Sequence, residues 1–335
     1  MPSFDIPNLA HQPRVQLGVW PTPLQYLPRL SEELRGPRIW VKRDDLSGLA
    51  TGGNKTRKLE YLLGAALAAG VERVVTFGAV QSNHARQTAA ACAQLGLTCH
   101  LLLRRQVDYA NPRYESGANV LLDHLFKAEI EIFDVDDQER FVTRRQAFLD
   151  MPDTLIIPAG GSNAVGSLGY VNAALELSEQ ANASDIELNY VIHASSSAAT
   201  QAGLMAGFAA LQMPTEVLGI NVFHDDPAAL TERVDALGQQ TLAHLDLSCS
   251  IPAARVNHAY IGEGYGIPES SAIEAIRLAA SLEGLLFDPV YSGKALAAVI
   301  DQINLGNFAD AKDVVLIHTG GTQALNVYES EFINP

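Results

Sequence analysis

Short apolar segments alternate with amphipathic segments along most of the chain, and this alternation restricts the fold more than any other feature. Apolar runs that predict buried strands lie at residues 73–77, 98–103, 154–158, 189–193, 216–222 and 313–318. Helical patterns lie at residues 56–69, 81–95, 167–180, 200–211, 269–282 and 294–305. Continuous apolar strands between helices are typical of a parallel sheet that is covered on both faces. We therefore predict an α/β protein, and its 335 residues predict two domains or one large one.

Turns rich in glycine or hydroxyl groups follow four of the predicted strands. They read GAVQSN, AGGSN, ASSSAAT and TGGT. In open parallel sheets, ligands bind at the carboxyl ends of the strands, where helix N-termini offer free N–H groups. The four turns therefore predict one shared crevice. The chain lacks both GxGxxG after a strand and GxxxxGK[ST], which disfavours a dinucleotide or nucleoside-triphosphate enzyme.

Charge and cysteine content narrow the range of partners. Lys and Arg number 23 and Asp and Glu number 38, so the formal net charge is −15. This acidic balance argues against nucleic acid and anionic lipid as partners. We expect Cys92, Cys99 and Cys249 to be reduced thiols, because three cysteines without metal spacing fit no disulfide framework. The chain shows no apolar run long enough to span a membrane and no signal-peptide pattern, so we expect a cytoplasmic protein.

A cluster of cations stands at the start of the first long helix. The segment TGGNKTRKLE places Lys55, Arg57 and Lys58 in the first helical turn. Cations there oppose the helix dipole, and a bound anion would resolve the conflict. A lysine held near positive charge is also suited to Schiff-base chemistry, because burial and charge lower its pKa. The alternative is a basic helix start that is simply solvated.

Two further segments carry groups that could bind or react. In QSNHARQ, Ser82 and Asn83 lie where a helix begins, so they could either cap the helix or bind a carboxylate. Tyr291 in DPVYSGK and Tyr265 in GEGYGIP lie on rigid turns, where a tyrosine can stack on a flat cofactor or move a proton. A buried structural tyrosine is the alternative. The nine histidines form no HxH or HxxxH pair, so we expect no metal.

In this order, the segments resemble one known family. GGNKTRKLEYL, GAVQSNHARQTAA, PAGGSNAVGSLGY, GEGYGIP, SLEGLLFDPVYSGK and IHTGG resemble the D-cysteine desulfhydrase and 1-aminocyclopropane-1-carboxylate deaminase family. These enzymes use pyridoxal phosphate and have the tryptophan synthase β-like fold, also called fold type II. The resemblance extends from WPTPLQYLPRLSEEL to TGGTQALNVYE and covers nearly the whole chain.

The resemblance implies a role for each matching residue. Lys55 would carry the cofactor through a Schiff base, and Ser82, Tyr265 and Tyr291 would act beside it in catalysis. The substrate-binding residues would be Ser82, Asn83, His84 and Gly161. The cofactor would be held by residues on five segments: Asn54, Lys55, Lys58, Asn83, Ser195, Ser196, Ser197, Ala198, Ala199, Thr200, Ser292 and Thr319.

Two of these positions separate the activities within the family. Ring-opening deaminases carry Glu after DPVY and tend to carry Leu after the His of the last strand, whereas this chain has Ser292 and Thr319. A carboxylate keeps the pyridine nitrogen protonated, while a hydroxyl favours a neutral ring that suffices when a good leaving group departs. His193 and Ser292 also resemble the L-cysteate sulfo-lyase branch. The loop ASSSAAT has Ser196 and Ala199 where relatives have glycine, so either the loop differs or those φ angles are ordinary.

The resemblance implies two doubly wound parallel-sheet domains with the cofactor between them. We expect a large domain of residues 1–54 plus 164–335 and a small domain of residues 55–163. The expected activity is β-elimination from a sulfur-containing amino acid to pyruvate and ammonia, with D-cysteine as substrate. The alternatives are an L-cysteate sulfo-lyase, a ring-opening deaminase, and a binding protein without turnover. Either Lys55, Ser82 or a tyrosine would take the α-proton. A homodimer is also implied.

Overall fold

The structure is a computed structural model, and it describes residues 4–333. The strands form two sheets. The larger sheet has the order β1-β2-β10-β7-β8-β9, and the smaller has the order β5-β4-β3-β6. The strand bounds are β1 Leu24–Tyr26, β2 Arg38–Lys42, β3 Arg73–Ala79, β4 Thr98–Arg104, β5 Glu129–Phe133, β6 Thr154–Ile157, β7 Tyr190–Ser195, β8 Glu216–Asn221, β9 Arg255–Asn257 and β10 Asp313–Ile317.

Helices connect the strands and cover both faces of each sheet. Their bounds are α1 Pro28–Leu34, α2 Lys55–Ala68, α3 Asn83–Leu95, α4 Ala118–Leu125, α5 Gln138–Leu149, α6 Ala164–Ala183, α7 Ala199–Ala210, α8 Pro227–His244, α9 Ser270–Glu283, α10 Ser292–Asn304 and α11 Ser330–Ile333. In β10, Val314 and Leu316 pack with α9 and α10, whereas Val315 and Ile317 pack with α6, α7 and α8. This alternation explains why the strand reads as continuously apolar.

Every strand and helix predicted from periodicity is present, with ends shifted by a few residues. The pattern missed the strands β1, β2, β5 and β9, which are only three to five residues long. It also missed the helices α1, α4, α5, α8 and α11, of which α8 has a polar and partly exposed outer face. Strand β1 is antiparallel to β2, so the larger sheet carries one antiparallel edge, while the smaller sheet is parallel throughout.

The two sheets divide as the expected domains do, but helix α2 joins both parts. All strands of the smaller sheet lie within residues 55–163, and all strands of the larger sheet lie outside that range. Leu59 and Leu63 of α2 pack in the core of the smaller sheet. Tyr61 of the same helix packs against Leu168 of α6. The domain boundaries themselves stay a prediction.

Two further expectations concern the state of the cysteines and the presence of membrane-spanning helices. Cys92 and Cys99 are buried free thiols near the smaller sheet, whereas Cys249 is half-buried and unpaired. Among residues 4–333, none of the helices combines the length and apolar character needed to cross a membrane.

A buried ion-pair cluster fixes the start of α2 against the larger sheet. Arg57 is 2% exposed and bonds with Asp44 (Nη2 to Oδ1, 2.8 Å) and with Glu176 (Nη2 to Oε1, 2.9 Å). Lys42 also pairs with Glu176, and the Tyr170 hydroxyl donates to Asp44 at 2.6 Å. The helices approach closely because Gly169 of α6 has no side chain: a Cβ there would lie 2.3 Å from the Arg57 carbonyl oxygen. The cluster therefore locks three segments together.

The same cluster shifts the pKa values of both carboxyls. Burial raises the pKa of Asp44, but Arg57 outweighs it, so the net pKa lies below the ordinary value. Burial also opposes the ionised form of Glu176, and Arg57 and Lys42 again leave its pKa lowered. Both groups bind fewer protons in the folded chain than in the unfolded chain. They therefore contribute stability above about pH 4, where the unfolded carboxyls are ionised, and lose it as the pH falls through their folded pKa values.

Breaking this cluster should destabilise the protein strongly. We expect Glu176→Gln to lower the free energy of unfolding by about 3–5 kcal/mol, because Asp44 is then the one carboxylate that remains to balance the two buried cations, Arg57 and Lys42. Urea unfolding measures the change. The control is Glu329→Gln, which removes an exposed pair with Arg113 at 3.5 Å and should cost about 0–1 kcal/mol. Equal effects of the two substitutions would contradict the assignment.

Candidate active site

The four turns predicted to share a crevice do meet around one cavity. Its volume is about 320 Å³, and residues from each turn line it. The turns follow β3, β6, β7 and β10, so the cavity lies at the carboxyl ends of strands from both sheets. Of the residues predicted for the site, those that line it are Asn54, Lys55, Ser82, Asn83, His84, Ser195, Ser196, Ser197, Ala198, Thr200, Tyr265, Tyr291 and Thr319.

Lys55 presents an amine of lowered basicity to this cavity. Its Nζ donates to the Asn54 Oδ1 at 2.9 Å. Burial lowers the pKa of Lys55 to about 8, Arg86 acts in the same direction, and Asp288 opposes them. At a pH near 8, half of the Lys55 side chains are therefore neutral amines, the form that attacks a carbonyl carbon.

Lys58 and the start of α7 form a second cationic feature beside Lys55. Lys58 is 1% exposed, its Nζ donates to the Gly160 carbonyl oxygen at 3.1 Å, and it has no ion pair among the described residues. Burial, with Lys55 and Arg233 adding to it, lowers its pKa well below the ordinary value. The first N–H groups of α7 have no partner within the helix, and they follow the hydroxyl-rich loop at Ser195–Ser197. This is a donor set for an anion, and the buried lysine excludes the solvated-helix alternative at Lys58.

The hydroxyl-rich loop places its backbone strain on one residue. Ala198, the N-cap of α7, has φ +80°. Neither Ser196 nor Ala199 is among the residues of positive φ. The missing glycines at these two positions therefore cost no backbone strain, and the φ angles there are ordinary.

Helix α3 brings Ser82 and Asn83 to the cavity. Ser82 is the N-cap, and its Oγ accepts from the Ala85 N–H at 3.1 Å. Asn83 Oδ1 accepts from the Asn119 Nδ2 at 3.0 Å. Ser82 thus caps the helix and lines the cavity at once, so capping does not exclude its predicted role in binding a carboxylate.

His84 is held as a neutral acceptor in the wall of the cavity. Its Nε2 lies 2.8 Å from the Thr76 Oγ1, and that hydroxyl donates to the Ile157 carbonyl oxygen at 2.9 Å. The hydroxyl proton is thereby used, so Nε2 carries the ring proton and Nδ1 keeps a lone pair. Nδ1 is buried without a partner. Burial, Lys55 and Lys58 lower the pKa of His84 well below its ordinary value.

Tyr265 and Tyr291 form a hydroxyl pair at the cavity. Their hydroxyl oxygens lie 2.5 Å apart, and the rings meet edge to face. Burial raises the pKa of each tyrosine above its ordinary value, and the neighbouring Tyr265 adds to the effect on Tyr291. Both hydroxyls therefore stay protonated at neutral pH and can donate a proton.

Four residues predicted for the site do not line the cavity: Lys58, Gly161, Ala199 and Ser292. The difference matters most for Ser292, which was expected beside the cofactor ring. Its hydroxyl donates to Asp288 Oδ1 at 2.5 Å and accepts from the Asp288 N–H at 2.9 Å, closing the turn that precedes α10. Thr319, by contrast, does line the cavity and supplies a hydroxyl group there.

Sequence reasoning missed a set of residues from outside the quoted motifs. Among them, the cations Arg104 and Arg233 and the rings Phe77, Phe141 and Phe223 line the cavity. Arg104 ends β4, a strand that the sequence did predict, so the strand-end rule could have found it. Arg233 lies on α8, for which no signal was recognised.

Comparison with known proteins identifies the class. The family model described as pyridoxal-phosphate dependent enzyme matches residues 15–320, and the chain belongs to this family. The D-cysteine desulfhydrase of Klebsiella pneumoniae (strain 342) is 42% identical over 330 residues, which cover 97% of this chain and 99% of the relative. The crystal structure of an ACC deaminase homologue is 33% identical, with a TM-score of 0.86 and 96% of each chain covered.

A more distant neighbour bears on the fold alone. The serine racemase from Dictyostelium discoideum is 18% identical, has a TM-score of 0.64, and covers 90% of this chain and 92% of its own. The family match and the two sheets confirm the α/β fold class and the family that the sequence motifs indicated.

The residues at the cavity fit pyridoxal phosphate. A phosphate requires an anion site, which Lys58 and the first turn of α7 supply. An aldehyde requires a neutral amine, which Lys55 supplies with its pKa of about 8. Gly160 presses against the loop at Ser197, where a Cβ would lie 2.2 Å from the Ser197 Oγ. The cradle therefore leaves no room for a side chain at Gly160.

We expect Gly160→Ala to weaken binding of pyridoxal phosphate at least tenfold, because the new Cβ displaces the loop at Ser197. Gly160 has φ +69°, so backbone strain of about 1–2 kcal/mol accompanies the clash. Gly70→Ala is the matched control: Gly70 has φ +75° but nothing within 4 Å of a Cβ. Titration with the cofactor and urea unfolding separate the two effects. Equal cofactor affinities in the two variants would contradict the role of the loop.

Proposed function

We propose that the protein is a pyridoxal-phosphate-dependent lyase that converts D-cysteine and water into pyruvate, ammonia and hydrogen sulfide. The Cα–H and Cβ–S bonds break, and the sulfur leaves with the bonding electrons and takes up a proton. Water then releases the amino group as ammonia. The relative that is 42% identical over nearly the full chain carries the name D-cysteine desulfhydrase, and this supports the choice of substrate.

One observation about the cavity favours elimination over ring opening. Among the described residues, those that line it include Thr319 and several serines but no Asp or Glu. These residues would offer hydroxyl groups and no carboxylate to a pyridine ring, and a hydroxyl partner would favour a neutral ring nitrogen. A weaker electron sink suffices when sulfur leaves from the β-carbon. Ring opening lacks such a leaving group and requires the stronger electron sink of a protonated pyridine ring.

Lys55 is the residue that we assign to attachment of the cofactor and to proton transfer at the substrate α-carbon. When bound, pyridoxal phosphate supplies an electron sink for the electrons released there. A base works best with a pKa near the operating pH, and the Lys55 pKa of about 8 meets this condition. Asn54 orients the amine through its Oδ1. Lys58 and α7 would hold the phosphate.

Helix α3 is assigned to the substrate carboxylate. Ser82 and Asn83 present side chains at the helix N-terminus, where free N–H groups and the helix dipole favour an anion. His84 adds a fixed acceptor for a substrate N–H through its Nδ1. Tyr265 can deliver a proton to the departing sulfur, because the hydrogen bond from Tyr291 stabilises the Tyr265 oxygen as it gives up its proton.

The direct test measures keto-acid release from four substrates. We expect pyruvate and sulfide from D-cysteine, and no 2-oxobutyrate from 1-aminocyclopropane-1-carboxylate. The other two substrates are L-cysteine and L-cysteate. Lys55→Ala should abolish turnover and serves as the inactive control. Release of 2-oxobutyrate would contradict the assignment of Thr319, and absence of turnover on all four substrates would favour a binding protein.

The positive charge around the cavity favours L-cysteate as a second candidate substrate. Arg104 and Arg233 line the cavity together with Lys55, and no carboxylate among the described residues lines it. The Nε of Arg104 is buried without a partner, while its Nη2 donates to the Val135 carbonyl oxygen at 2.9 Å. A sulfonate would supply the missing acceptor, and sulfite would then leave in place of sulfide.

If L-cysteate is a substrate, Arg104→Gln should raise its KM about tenfold, because a charge-assisted hydrogen bond is lost. The effect on D-cysteine should be smaller. Arg105→Gln is the control, since this neighbouring arginine bonds with Glu115 and Asp134 outside the cavity. Steady-state release of pyruvate measures the KM for L-cysteate and the KM for D-cysteine. A KM for L-cysteate that Arg104→Gln leaves unchanged would contradict this use of Arg104.

Three further expectations, on domain bounds, oligomeric state and location in the cell, complete the proposal. The large domain would comprise residues 1–54 and 164–335, and the small domain residues 55–163. The protein would form a homodimer, as the family resemblance implies, and would work in the cytoplasm. Sedimentation equilibrium tests the dimer.

A further inference from the structure

A run of left-handed residues leads directly into Asn54 and Lys55. Ala50, Thr51, Gly52 and Gly53 have φ values of +45°, +69°, +73° and +133°. Only glycine adopts such angles freely, and a β-branched residue such as Thr51 rarely does. The turn is therefore strained at Ala50 and Thr51. It needs contacts from elsewhere in the molecule to keep this conformation.

Arg86 of helix α3 supplies those contacts. It is fully buried, and its guanidinium bonds with three successive residues of the turn. Nη1 donates to the Ala50 carbonyl oxygen and to the Thr51 Oγ1, and Nη2 donates to the Gly52 carbonyl oxygen at 3.1 Å. A planar guanidinium matches several acceptors at fixed angles, which an ammonium group does not.

The next residue of α3 continues this contact. The Oε1 of Gln87 accepts from the Thr56 N–H at 3.0 Å, just after Lys55. Its amide also fills the space at Gly53, where a Cβ would lie 2.7 Å from the Gln87 Nε2. The turn is thus bonded to α3 on both sides of the lysine.

Helix α3 also begins at Ser82 and Asn83, which line the same cavity as Lys55. We propose that Arg86 is a positioning residue: it clamps the strained turn at residues 50–53 onto α3 and so sets the position of Lys55 relative to Ser82. This inference rests on the proposed function in one respect, namely that Lys55 is the lysine that carries the cofactor.

The charge of Arg86 acts on Lys55 as well. After burial, Arg86 is the next contribution that lowers the pKa of Lys55, whereas Asp288 raises it. Other titratable groups near Lys55 are Lys58, His84 and His193, together with Tyr265 and Tyr291 in the wall of the cavity. Burial lowers the pKa of Arg86 itself to about 9, and Asp123 opposes this shift. Charge and clamping therefore come from the same side chain, and an experiment must separate them.

Two substitutions separate the charge from the clamp. Arg86→Gln removes both the charge and the guanidinium. Arg86→Lys keeps the charge but removes the planar guanidinium that bonds with the turn. Three measurements apply to each variant: kcat on D-cysteine, the pKa of Lys55 in cofactor-free protein, and the rate at which proteinase K cleaves the turn. The pKa comes from the pH dependence of Lys55 acylation, read by peptide mass spectrometry.

Arg86→Gln should lower kcat about 100-fold, speed cleavage of the turn, and raise the pKa of Lys55 above about 8. Arg86→Lys should lower kcat about tenfold and speed cleavage, with the pKa unchanged. Arg29→Gln is the control, since this exposed arginine also bonds with carbonyl oxygens, those of Ser281 and Leu282, away from the cavity. It should match the wild type in all three measurements.

Wild-type values for Arg86→Lys in kcat and cleavage would overturn the proposal. Should Arg86→Gln fail to fold, Thr51→Val removes one acceptor of Arg86 at an exposed position and should still speed cleavage of the turn. The acylation and cleavage measurements require no turnover. A wild-type protein inactive on every substrate would therefore refute the proposed function and leave the clamp testable.

Discussion

The buried ion pairs of Arg57 with Asp44 and Glu176 are the interaction on which the rest of the site depends. They bind the first turn of α2 to the larger sheet and to α6, while the apolar side of α2 packs in the core of the smaller sheet. The carboxyl ends of the two sheets are thereby brought to one cavity. The two carboxylates balance the charges of Arg57 and Lys42, which water does not solvate in this buried position.

The same interaction explains how three cations share one helix start. Arg57 is neutralised within the protein, whereas Lys55 and Lys58 have no ion pair among the described residues. Burial lowers the pKa values of both lysines; Arg86 adds to the effect on Lys55, and Lys55 adds to the effect on Lys58. A bound phosphate would offset this positive charge. The division of roles follows from position on the helix: Arg57 faces α6 and the larger sheet, and Lys55 faces the cavity.

Local patterns in the sequence sufficed for much of the fold and site. Continuous apolar strands and amphipathic helices marked the principal elements, and glycine-rich turns marked the cavity, because both follow from short segments. Contacts between residues distant in the sequence could not be predicted from local patterns. Glu176 is 119 positions from Arg57, and no local rule pairs them. Ser292 shows a second limit. The motif specified a hydroxyl, but its hydrogen bonds to Asp288 turn it away from the cavity.

The central claim is that this arrangement reserves the Lys55 amine for covalent attachment of pyridoxal phosphate. The most direct measurement is reduction of the cofactor-loaded protein with borohydride, followed by peptide mapping of the modified lysine. We expect one pyridoxyl group, on Lys55, with Lys58 unmodified although it lies in the same helical turn. A label on Lys58, or none on either residue, would contradict it.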